Sequence, residues 1–247
     1  MIELIMSTQP DDETCGPTSI HAIYRHYGDP ITLNEVLNSV DRLKTGGTLA
    51  ALLGKHALER GYQAELYTYD LNVFDPTWFH EKKWLSKENL IDKLTKQLKF
   101  KQALRILETT RAYIEFLELG GTVRFKDLTV ALLNNYFDKK IPVITGLSAT
   151  YLYNCMREYP QTGGKTVYDD MIGEPSGHFV VLCGYDEHKR RIVVADPHHA
   201  NPISNNNYYR VSSTRLLNAI MLGVITYDAN LLIITPTGFN NANLISH

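Results

Sequence analysis

Apolar periodicity changes partway along the chain, and that change constrains the fold most. Up to about residue 137 the apolar residues recur at helical spacing. After that they gather in short β-branched runs bounded by turn residues. Ile20, Ile23, Tyr24 and Tyr27 keep the i, i+3, i+4, i+7 rhythm of one buried helix face. Gly28-Asp29-Pro30 stops that helix, and Thr32-Leu-Asn-Glu35 has the form of a capping box opening the next. A third helix is expected from about Thr48 to Arg60, ended by Gly61, then a short strand from Tyr62 to Tyr69. Ser86 to Leu119 reads as helix with a break near Lys99 to Lys101, and Phe125 to Phe137 as a further helix. Then come Pro142–Leu147, His178–Gly184, Arg191–Ala195 and Leu231–Thr235, all strand-like. Helices followed by strands predict an α+β fold, with a helical N-terminal lobe packed on an antiparallel β-sheet. Tyr151 to Gly177 reads as a polar loop, and the tail after Pro236 as frayed.

At 247 residues, 44% hydrophobic and 21% charged, the chain can build one sizeable core, and a single domain over 1–247 is expected. A formal net charge of −2 offers no basic field for nucleic acid or an anionic membrane. The lysine-rich stretch from Lys82 to Arg111 carries acidic residues throughout and reads as a solvated helix face. The start has no basic segment leading into an apolar run, and no stretch approaches the ~18 apolar residues of a spanning helix. The expectation is a cytoplasmic protein without membrane insertion. Three cysteines with no CxxC argue against a disulfide framework.

Cys15 stands immediately before Gly16-Pro17 at a helix start. Proline suits the first turn, because its missing N–H is not needed there. The sulfur would therefore sit where free N–H groups and the macrodipole favour an anion. The plainer reading is a small residue at a cap. Gln9 lies six residues earlier, so its amide NH₂ and the Cys15 N–H could converge on one carbonyl oxygen; alone, a loop glutamine is ordinary surface. His178 opens the most apolar strand, and Asp196 closes the next run just before Pro197. If Asp186–Arg190 joins these runs as a hairpin, His178 and Asp196 become cross-strand neighbours, the aspartate steadying the imidazole. Singly, each has a bland reading as structural histidine or turn-capping aspartate.

Gln9-Pro-Asp-Asp-Glu-Thr-Cys15-Gly-Pro-Thr-Ser-Ile, Gly177-His178-Phe-Val-Val-Leu-Cys-Gly-Tyr-Asp186 and Val193-Val-Ala-Asp196-Pro197 resemble, in the same order, the papain-like bacteriocin-processing peptidases (family thirty-nine of the cysteine peptidases) and their stand-alone relatives. The three quoted blocks make up 27 residues. It implies a papain-like cysteine peptidase fold and amide cleavage through a thioester on Cys15. His178 would be the base, Asp196 its orienter and Gln9 the oxyanion-hole residue. A peptide or protein would be the substrate, with no cofactor. About residues 70–121 would then be a helical insertion, since the family's peptidase unit is often about half this length. Acyl transfer through the same thioester, a catalytically inactive peptide-binding module and a scaffold role for the inserted helices are the alternatives.

Several features read as bland. His198-His199 lacks a metal-ligand spacing, so no metal is expected. Asp11-Asp12-Glu13 suits the dipole at a helix start. Tyr151, Tyr153, Tyr159 and Tyr168 could line a groove, though such tyrosines more often pack locally. Gly46-Gly47 and Gly163-Gly164 are turn signals.

Overall fold

The computed structural model of the protein describes residues 1–44, 47–80, 84–160, 166–227 and 229–239. Gly46, Lys82, the Gly163-Gly164 pair and the last eight residues lie outside them.

The first helix, α1, spans Cys15–His26 and buries Ile20, Ile23 and Tyr24 as its spacing predicts. Next, α2 (Leu33–Ser39) starts with the full capping box: the Thr32 hydroxyl accepts from Glu35 N at 3.3 Å, and Glu35 Oε2 accepts from Thr32 N at 2.7 Å. The third helix, α3, runs Ala50–Glu59. A relay that begins in the core and ends at the surface joins the three. The Tyr24 hydroxyl and His56 Nδ1 are 2.7 Å apart, and His56 Nε2 and Ser39 Oγ are 2.9 Å apart. Burial pushes the Tyr24 phenol above its ordinary range, so it donates to His56 Nδ1. His56 Nε2–H then donates to Ser39 Oγ, whose own proton goes to Glu35 O at 2.6 Å. With that proton committed to a carbonyl, Ser39 is a structural link and not a nucleophile.

Seven strands form one sheet: β1 (Tyr62–Thr68), β2 (Thr122–Arg124), β3 (Val143–Ser148), β6 (Gly177–Asp186), β7 (Arg191–Ala195), β8 (Tyr208–Ser212) and β9 (Asn230–Pro236). Their spatial order is β2-β1-β9-β3-β6-β7-β8, antiparallel throughout except for β1 with β2, which run parallel. A parallel pair cannot be closed by a tight turn and needs a long crossover. Here the crossover holds a 3₁₀ turn at Pro76–Phe79 and the helices α4 (Lys87–Gln97) and α5 (Leu104–Glu118). The 70–121 stretch is thus the connection between two neighbouring strands. Its apolar faces, with Leu90, Leu94, Phe116 and Leu117, join the one contiguous core.

Some elements escaped the sequence reading. Helix α6 covers only Val130–Phe137, with Thr129 as its side-chain cap, and the residues before it include β2. The stretch read as a polar loop carries a short helix, α7 (Ala149–Tyr153), and a two-stranded hairpin, β4 (Arg157–Pro160) with β5 (Thr166–Asp169). After β8 comes α8 (Ser213–Leu222), capped by Ser212. Each of these pieces is three to ten residues long, too short for a periodic pattern to stand out.

Candidate active site

Cys15 is the first residue of α1. The turn before it is closed on itself: the Thr14 hydroxyl donates to Asp11 O at 3.0 Å, and Asp11 Oδ1 accepts from Glu13 N at 3.0 Å. Thr14 gives the helix no side-chain cap, so the first-turn N–H groups keep no side-chain acceptor, which is the arrangement that attracts an anion. The helix lies close on β6. A Cβ built on Gly16 would come within 2.5 Å of Thr48 Cγ2 and 3.3 Å of Phe179 Cδ2, and Ser19 Oγ donates to Phe179 O at 3.2 Å. Glycine leaves room for Thr48 on one side and for Phe179 on the other, and this packing carries Cys15 to the mouth of β6, where His178 stands.

His178 Nε2 and Asp196 Oδ1 are 2.8 Å apart, the histidine 7% and the aspartate 0% exposed. With Nε2 committed to Asp196, Nδ1 is the ring nitrogen left for the sulfur. The half-buried Cys15 thiol is within hydrogen-bonding reach of this ring. Burial alone would lower the His178 pKa. The Asp196 charge, the Asp196 hydrogen bond and the hydrogen bond to Cys15 outweigh it, raising the ring from its ordinary 6.5 to about 10. Asp196 moves the other way. Burial pushes its carboxyl up, but the His178 charge and hydrogen bonds from His178, Tyr153 and Tyr209 hold it below the usual carboxylate range. The other two thiols differ. Burial pushes Cys183 up to about 12, and burial with the Glu158 charge raises Cys155.

The hairpin geometry differs from the simple cross-strand expectation. Near the turn, Tyr185 pairs with Ile192 and Gly184 with Val193; farther on, Leu182 pairs with Val194 and Val181 with Ala195. Cys183 is an extra residue on β6, a β-bulge. Its carbonyl accepts from Ile2 N at 2.8 Å, so the N-terminal segment satisfies what the ladder leaves open. One further step of this register sets Asp196 opposite Val180, on the same face as His178 and diagonal to it. Without the bulge Asp196 would fall opposite Val181, on the other face.

The Gln9 backbone N–H donates to Pro197 O at 2.9 Å, bringing the segment before Cys15 alongside the residue after Asp196. The Gln9 Nε2 group donates to Asp11 O at 2.8 Å, which uses one of its two hydrogens. The Asp196 surroundings hold residues that the sequence reading passed over. The Tyr153 and Tyr209 hydroxyls donate to Asp196 Oδ2 at 2.7 and 2.8 Å, and His198 N donates to Oδ1 at 2.8 Å. Asn207 Nδ2 donates to Asp196 O at 2.7 Å, while Asp196 N donates to Asn207 O at 2.7 Å. The fully buried Asn201 ties the loop between them, donating to the carbonyls of His198 and Asn206 at 2.8 Å each. For Tyr153 the sequence offers groove lining or local packing, and neither reading includes a hydrogen bond to Asp196. Tyr209 and the asparagines carry no motif that would single them out. His198 stands beside the site, its ring 6.3 Å from that of His178 and 6.2 Å from that of Tyr153.

Among the described residues no cluster of three or more His, Cys, Asp or Glu side chains could hold a metal ion. No described helix is long and apolar enough to cross a membrane. What the arrangement offers is a sulfur at a helix start, an imidazole within its reach and a buried carboxylate behind the imidazole. A model of the family described as "Peptidase_C39 like family" matches residues 1–216 of the chain. A search of curated proteins finds no match.

Proposed function

The chain belongs to the Peptidase_C39 like family, and from that premise we propose that it hydrolyses an amide bond of a peptide or protein, with Cys15 as nucleophile, His178 as general base and acid, and Asp196 as the group that orients the imidazole. The observation that carries this reading is the chain of contacts from Cys15 through the His178 ring to Asp196 Oδ1, 2.8 Å from Nε2. In the resting pair the Cys15 proton sits on His178 Nδ1, and the imidazolium faces the Asp196 carboxylate.

The thiolate adds to the amide carbonyl carbon. The tetrahedral oxyanion is met by the first-turn N–H groups of α1 and by the remaining Nε2 hydrogen of Gln9. As the C–N bond breaks, the imidazolium gives its proton to the leaving amine, and the acyl group stays on sulfur as a thioester. A water molecule, deprotonated by the neutral His178, then attacks the thioester, and the C–S bond breaks to return the thiolate. Nothing in the cycle requires an oxidant, and water is the only co-reactant.

The test is chemical. Iodoacetamide below pH 7 should alkylate Cys15 ahead of Cys155 and Cys183, and His178→Ala should slow that alkylation. In a peptide-library digest, Cys15→Ala should lose turnover by about 10⁴-fold or more while keeping its melting temperature. Equal alkylation of all three thiols, or cleavage surviving Cys15→Ala, would overturn the proposal.

A further inference from the structure

Three of the four hydrogen bonds converging on the Asp196 carboxylate come from groups that the proposed reaction never uses. His178 meets Oδ1. On the other oxygen, Oδ2, two phenol hydroxyls meet from separate elements: Tyr153 from the end of α7 at 2.7 Å and Tyr209 from β8 at 2.8 Å. Burial, reinforced by the Asp196 charge, pushes both phenols well above their ordinary range, so both remain O–H donors. The third is the His198 N–H on Oδ1.

Both tyrosines are themselves pinned. Tyr153 ends a five-residue helix, closed by Asn154 in a left-handed conformation (φ 57°). Arg215 of α8 reaches across to that helix end, donating from Nε to Leu152 O at 2.9 Å and from Nη2 to Tyr151 O at 2.6 Å, with its guanidinium over the Tyr151 ring at 5.1 Å. Tyr209 is 7% exposed and sits in the β7–β8 ladder opposite Val194, two residues before Asp196.

We propose that Tyr153 and Tyr209 are positioning residues that keep the Asp196 carboxylate ionised and turned so that Oδ1 faces His178, acting on the Cys15 thiolate only through that pair. A carboxylate with no exposure pays a desolvation cost that a single imidazole partner does not cancel, and two phenol donors on the far oxygen supply the missing solvation. They also leave Oδ2 no freedom to swing onto the ring. Tyr153 also lies within electrostatic range of Cys15. The charged and titratable groups facing this carboxylate are His178 on β6, Tyr153 on α7, Tyr209 on β8, Cys15 on α1 and His198 on its own loop; His198 in turn faces Asp12 and Glu158.

The inference rests on the thiolate–imidazolium reading, and its test separates the two. The rate of Cys15 alkylation by iodoacetamide is measured against pH for the wild type, Tyr153→Phe, Tyr209→Phe and the double variant, alongside melting temperature. Phenylalanine keeps the ring and its packing and removes only the donor. With a donor gone, Asp196 takes a proton more readily as pH falls, and the imidazolium loses its counter-charge. Each single variant should move the acid limb of the profile up by about one pH unit, about 1.4 kcal/mol, and the double variant farther. Above that limb the rates should rejoin the wild type. If the variants melt lower but their profiles superimpose on the wild type, the tyrosines are structural only and the proposal falls while the hydrolase reading stands. If wild-type Cys15 shows no His178-dependent reactivity, both fall. Tyr153 is less buried than Tyr209, so its variant supplies the answer should Tyr209→Phe fail to fold.

Discussion

The Asp196 carboxylate is fully buried and ionised, so its neighbours must do the work of water. Four hydrogen bonds do it, and they shift the two charged partners in opposite directions. That makes stability pH-dependent in a defined window. His178 is raised from 6.5 to about 10. Its contribution is fully present below 6.5 and is lost as pH climbs toward 10. Asp196 is lowered. Its contribution is present above the ordinary carboxylate value of about 3.9 and is lost as pH falls through the lower folded value. The pair should therefore stabilise the fold most between about pH 4 and 6.5. Asp196→Asn removes the charge that raises His178. The melting-temperature gap between wild type and that variant should be widest in this window and narrow steadily up to pH 10. A gap constant from pH 5 to 10 would mean that the ion pair does not couple to folding.

Two close approaches decide where the residues of the site meet. One is α1 against β6, set by Gly16. A methyl group there would press on Thr48 and Phe179, both in well-packed surroundings. Gly16→Ala should cost about 1–3 kcal/mol, read as a fall of about 2–12 °C in melting temperature for a chain of this size. It should also slow Cys15 alkylation, since it tilts the helix start away from His178. An unchanged melting temperature would show that the helix shifts freely. The other is the bulge at Cys183. Strand faces alternate with a period of two, so one extra residue sends everything beyond it to the opposite face. The bulge brings Asp196 to the His178 side, and Ile2 holds the bulge by taking its carbonyl. The N-terminal segment is part of the same device, with Ile2, Leu4 and Met6 buried at 6–7% exposure.

At the scale of the molecule, the sheet centre is built from residues far apart in the chain. Strand β9 lies between β1 and β3, paired with both, and Leu231 to Ile234 are at most 4% exposed. The family match ends at residue 216, before β9 and within α8. A fragment 1–216 would expose the inner edge of β1 along its whole length and that of β3 from Val143 to Gly146, and lose four of the most buried side chains. It should not fold cooperatively: circular dichroism should show no sharp thermal transition, and limited proteolysis no resistant core. A cooperative transition in that fragment would show that β9 is an addition to a self-sufficient sheet.

Local chemistry was legible in the sequence wherever a pattern repeats or a residue type has one use. Helical spacing gave α1 to α5 to within a few residues, β-branched runs gave β3, β6, β7 and β9, and Thr32 with Glu35 gave a cap. Cys15, His178 and Asp196 could be nominated because each stands at or beside the end of such an element, and Gln9 by its place six residues before Cys15. Tertiary structure alone decided how those ends meet. Strand order, the parallel β1–β2 pair and the bulge that selects the face of Asp196 each depend on which backbone groups find partners across long sequence separations. The tyrosines on Asp196 belong to the same class. A phenol becomes a carboxylate donor only when two distant elements enclose both in the dark of a core, and nothing in its own neighbourhood along the chain marks that fate.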